Sequence, residues 1–84
     1  MEYSTEQINT LRSYQLLALD SISSIYYTRM RAGTLNDKIK NEFNTVILCG
    51  IYLDNFDSSE DSSKYWVINR IIKLLNNIIT IPKL

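Results

Sequence analysis

The chain has 84 residues, nine basic and nine acidic side chains, no histidine and one cysteine. This length means one domain with a thin core. The counts exclude an internal disulfide, an ordinary zinc set and the commonest general base, and a net charge of zero argues neither for nor against nucleic acid.

The start of the chain, MEYSTEQ, is polar and acidic, unlike a signal peptide. Ser4-Thr5-Glu6-Gln7 has the form of a capping box, with Glu6 placed to suit the helix dipole. A helix over 5–32 comes next. Ile8, Leu11, Tyr14, Ala18, Leu19, Ile22, Ile25, Tyr26 and Met30 share one wide face at helical spacing. Gln15, Arg29 and Arg12 intrude on that face, and we expect them to reach out from the edge of a helix contact. For Arg29 the sharper alternative is that it lines a pocket or pairs across an oligomer interface.

Gly33 should end this helix in a left-handed turn. A second helix over 35–53 begins behind Thr34 or Asn36 as cap, with Asp37 in its first turn. Leu35, Ile39, Phe43, Val46, Ile47, Gly50 and Leu53 carry the spacing forward. The run VILCGIYL at 46–53 could be a buried strand, but the continuous spacing and the lack of a pairing strand favour helix. A short connection makes the first two helices an antiparallel hairpin. Gly50 would let a neighbouring helix approach closely, and Cys49 reads as a small buried hydrophobe.

Residues 54–63 form an acidic, serine-rich loop, with Phe56 holding it to the core and Ser62 or Ser63 capping the third helix. It lacks the glycine and closing glutamate of a calcium loop. The third helix, 64–80, has the widest apolar arc: Val67, Ile68, Ile71, Ile72, Leu74, Leu75, Ile78, Ile79 and Ile81. That arc is wider than one neighbour needs, so this helix should touch two partners, and Pro82 should stop it. Trp66, Leu17 and Leu48 fall on polar arcs.

The expected fold is all-α. It is a three-helix antiparallel bundle, a long hairpin plus an amphipathic third helix, with its surplus apolar face buried in a homo-oligomer, most simply a two-fold dimer. Asp54, Asp57, Glu60 and Asp61 lie in a stretch without positive charge, and 64–84 carry four basic residues and no acid. This division suits self-association or a charged partner surface.

Catalysis is not expected. Cys49 sits in an apolar run, and there is no phosphate loop, nucleophile elbow or metal-ligand cluster. No metal and no cofactor is expected. The longest wholly apolar run, 46–53, is too short to span a bilayer, and an Asn-rich polar face on 64–84 disfavours a membrane-surface helix.

The leading expectation is a small cytoplasmic, non-catalytic module that binds another protein and itself. Size, and a composition typical of A/T-rich genomes, suggest an inhibitor or adaptor of the kind phages and mobile elements encode. Trp66 and Tyr65 would be the anchors, flanked by Arg70 and Lys73. The alternative is a phosphate, nucleotide or nucleic-acid site at the first turn, with Arg29, Arg31 and Lys38 on phosphates and Tyr26 or Tyr27 stacking. A DNA-reading helix-turn-helix fits poorly, because the helix before the turn is far too long.

Overall fold

The computed structural model describes residues 3–56 and 65–82. Within them the chain forms three helices and no strand: α1 (Thr5–Ala32), α2 (Asp37–Asp54) and α3 (Tyr65–Asn76). The all-helical reading holds, and the ambiguous run 46–53 lies inside α2.

The helix ends arise from local chemistry. Ser4 Oγ accepts from the Gln7 N–H at 3.1 Å, and the Ser4 N–H donates to Gln7 Oε1 at 2.9 Å. Together they satisfy two of the orphan donors at the start of α1. Gly33 closes α1 with φ of 71°, and its N–H points back to Met30 O at 3.2 Å. Asn36, not Thr34, caps α2: its Oδ1 accepts from the Ile39 N–H at 3.0 Å. The second helix therefore begins at Asp37, two residues later than the spacing suggests.

The end of α3 corrects a sequence expectation. The helix stops at Asn76, well before Pro82. Asn76 Oδ1 accepts from the Ile81 N–H at 2.9 Å, and Ile78 and Ile79 both donate to Leu75 O at 2.9 Å. An asparagine side chain that bonds backbone ahead of it competes with continued helix. Ile78, Ile79 and Ile81 still pack against the core, but from an irregular tail. The expected cap at Ser62 or Ser63 falls outside the described residues.

On α1 the buried positions alternate by three and four: Ile8, Leu11, Gln15, Ala18 and Ile22. This is the seam spacing that keeps one face against a neighbouring helix. Its counterpart on α2 is Ile39, Val46, Cys49 and Leu53. Ile68, Ile71 and Leu75 of α3 complete the core, and Leu11, Ile22, Leu53, Ile68 and Leu75 are fully buried. Each such side chain contributes about 1.5–3 kcal/mol of hydrophobic stabilisation.

Gln15 does not sit at the edge of this contact. It is buried and donates from Nε2 to Val46 O at 2.9 Å. The room comes from Gly50, where a Cβ would lie 2.6 Å from Gln15 Nε2. The glycine thus admits a side chain rather than a helix backbone. Arg12, by contrast, does work from the rim: its Nε and Nη2 donate to Leu53 O at 3.1 and 2.7 Å. That carbonyl is in the last turn of α2, where carbonyls lack helical partners. Asp54 lies 3.8 Å from Arg12 Nε. Nearer the turn, Tyr26 stacks on Phe43 with ring centroids 4.5 Å apart.

The wide arc of α3 is absorbed by its own chain. The helix packs on both α1 and α2, and its described aliphatic residues are all buried or half-buried. Tyr3, ahead of α1, donates its hydroxyl to Asn69 Oδ1. Among the described residues, the large apolar side chains left exposed are instead mostly on α1 and α2, among them Leu16, Leu17, Leu48 and Ile51.

Candidate functional site

Trp66 lies in the first turn of α3, with 64% of its surface exposed. The helical spacing places Asn69, Arg70 and Lys73 on the same face, beside Leu74, and Asn77 follows just past the helix end. These six residues line an open depression of about 660 Å³. Among the described residues, Arg70 and Lys73 are its charged members, with no acid beside them. The spacing in the sequence already joins Trp66, Arg70 and Lys73. Tyr65 opens the helix, and its side chain lies outside the described residues.

Leu74 links this face to two further depressions. One, of about 280 Å³, is an apolar groove between α2 and α3. Leu48, Cys49 and Tyr52 of α2 form one wall, and Val67 and Ile71 of α3 the other, with Arg70 at the rim. Leu48 is 64% exposed there. The second, of about 220 Å³, runs from Lys38, Asn41, Glu42 and Thr45 to Leu74, Asn77 and Ile78. Sequence reading missed the groove, because no periodicity in α2 or α3 alone says which faces will meet.

The residues of the anion alternative lie on either side of the turn between α1 and α2. Arg29 and Arg31 are exposed in the last turn of α1. Lys38 lines the depression toward α3, and neither arginine does. Tyr26 is packed on Phe43, and Tyr27 meets both rings edge-on at 5.2 and 6.3 Å. The tyrosines thus build an interhelical aromatic cluster. The Asn36 side chain takes up one of the N–H groups at the start of α2.

Cys49 is buried and free. Burial pushes its thiol above the ordinary value of 9.0, against a smaller lowering by a backbone hydrogen bond. A thiol kept protonated is a poor nucleophile. Among the described residues, no three His, Cys, Asp or Glu side chains gather closely enough to hold a metal ion. No described helix is long and apolar enough to cross a membrane. No protein-family model matches the chain, and neither a curated protein nor a solved structure is significantly similar to it.

Proposed function

We propose that this chain is a non-catalytic protein-binding module whose contact surface is the outer face of α3. The observation that carries this reading is Trp66, exposed on a regular helical turn beside Arg70 and Lys73. An indole left in water offers a large apolar area and an N–H donor at little entropic cost. Tryptophan and arginine are the residues most enriched among interface hot spots. The adjoining α2–α3 groove adds an apolar slot for a neighbouring side chain.

A three-helix antiparallel bundle is the scaffold of this proposal. Its support is the order of the contacts: Arg12 with Leu53, Gln15 with Val46, Tyr26 with Phe43. As the number rises on α1 it falls on α2. Across the α2–α3 depressions, Tyr52 shares walls with Val67, and Lys38 with Ile78. Self-association belongs to the same reading, because a domain this small gains stability by burying exposed apolar surface in a partner. Size and composition favour a cytoplasmic inhibitor or adaptor of phage or mobile-element type. The anion alternative has less support, since Tyr26 is packed on Phe43 and Lys38 lines a depression that neither arginine reaches.

The test is site-specific photo-crosslinking. A photoreactive residue at Asn69, beside Trp66, should give one discrete adduct with a second protein in cells of the source organism. The same residue at Asn9, exposed on α1, should not. Trp66→Ala should abolish the Asn69 adduct with the far-ultraviolet circular dichroism unchanged. Equal labelling at the two positions, or an adduct indifferent to Trp66→Ala, would remove α3 as the binding face.

A further inference from the structure

We infer that the face of the α1–α2 hairpin turned away from α3 is a self-interface, on which a second copy of this chain docks in reversed orientation. This rests on the self-association proposed for the module and gives it a surface other than the α3 face.

The first observation is where the surplus apolar surface lies. Gln15 and Arg12 mark the side of α1 that meets α2, because both bond to α2. Leu11 and Ala18, fully buried, lie on one flank of that line at about 100° per residue, and Leu16, Tyr27 and Met30 on the other. On α2, Thr45, Leu48, Cys49 and Tyr52 face α3 across the groove, so Ile47 and Ile51 fall on the opposite flank. The exposed members of this back face are Leu16 at 62%, Ile51 at 53%, and Tyr27 and Met30 at 48% each. Scattered single residues of this kind need no explanation. Two clusters on one face of one hairpin do.

The second observation is charge. Arg29, Arg31, Lys38 and Lys40 crowd the closed end of the hairpin, with Asp37 and Glu42 among them. At the open end Arg12 donates to Leu53 O and lies 3.8 Å from Asp54, while Glu6 and Asp54 are exposed. Among the described residues of these two helices, the closed end is thus net basic and the open end slightly acidic. Two hairpins packed in the same direction would set basic end on basic end. Reversed packing sets Asp54 over the Lys40 end of the other copy, and Leu16 over Tyr27 and Met30. Asp20, exposed between the apolar clusters, then falls opposite the Ser23–Ser24 stretch of the other copy and not opposite itself.

The third is size. The 28 residues of α1 span about 42 Å and the 18 of α2 about 27 Å at about 1.5 Å per residue, and each helix is about 10 Å across. The resulting face, on the order of 700 Å², falls within what each partner buries in a stable interface of ordinary size. A two-fold operator makes each apolar cluster serve both copies.

Light scattering on the full chain at micromolar concentration should give twice the 9.8 kDa chain mass. Leu16→Glu and Ile51→Glu should each weaken the dimer roughly tenfold or more, with helicity unchanged because both sites are exposed. Trp66→Ala should leave it intact, so failure of the α3 reading and failure of this one are separable. For direction, a chain with Leu16→Cys mixed with one carrying Tyr27→Cys should oxidise to a covalent pair, and Leu16→Cys alone should not. A monomer mass, a dimer indifferent to both glutamates, or preferential cross-linking of position 16 to itself would overturn the proposal.

Discussion

α3 and the packed pair α1 and α2 differ in a way their sequences do not suggest. α3 is the most apolar stretch of the chain, yet Trp66 is its one large apolar residue left open among those described. α1 and α2 are more polar, yet they leave Leu16, Leu17, Ile25, Leu48 and Ile51 in water. The difference is one of neighbours. α3 lies against two helices and has a tail folded back on the core, so a wide arc is covered. Each hairpin helix has one neighbour along its length and a shorter one on one side, so an ordinary arc is covered only in part. Apolar density thus gives the wrong address for exposed apolar surface when the densest element is the one enclosed.

The strongest way to break this comparison is the same substitution in both regions. Ile68→Ala, in the fully buried seam of α3, should cost about 3 kcal/mol or more. Ile51→Ala, on the hairpin back face, should change the stability of the monomer by less than about 0.5 kcal/mol. Chemical denaturation of the two variants decides it. Equal losses would mean that α3 is not enclosed as described.

Next in size is the polar contact within the hairpin. Alanine is normally better than glycine inside a helix by about 1 kcal/mol. Gly50→Ala should nevertheless destabilise by about 1–2 kcal/mol, because its methyl group would displace the buried Gln15 amide from Val46 O. In a Gln15→Ala background the sign should reverse. A double-mutant cycle reads the coupling directly, and additive effects would refute it.

Asn36→Ala should cost about 1 kcal/mol, the usual worth of an N-cap, and Thr34→Ala distinctly less. Thermal melts of the pair tell whether the hairpin turn is built as described.

The smallest effect is a pH dependence. Burial holds the Cys49 thiol above its ordinary 9.0, so the unfolded chain gives up this proton first as pH rises. The associated stability is present below that value and is lost as pH climbs through the folded one. Stability should therefore fall more steeply in the alkaline range for the native chain than for Cys49→Ala. Equal slopes would mean that the thiol is not desolvated.

The sequence by itself determined the helices and most of their ends. Capping is local: Ser4, Gln7, Gly33 and Asn36 act within a few residues, so their chemistry can be read along the chain. The spacing of Trp66, Arg70 and Lys73 on one face was equally legible, because one helix carries all three. Where the end of α3 was misplaced, the cause was still local. The Asn76 side chain competes with its own backbone, five residues before Ile81 and ahead of the proline.

Only the tertiary structure decided the rest. Gln15 reads as an edge residue until Gly50, 35 positions later, makes room for it. Tyr26 reads as a stacking partner for a base until Phe43 packs against its ring. The groove between Leu48 and Val67 exists only once α2 and α3 meet. A side chain's burial depends on which helices surround it and how long they are. Periodicity marks the faces of each helix, but not which of them a neighbour will cover.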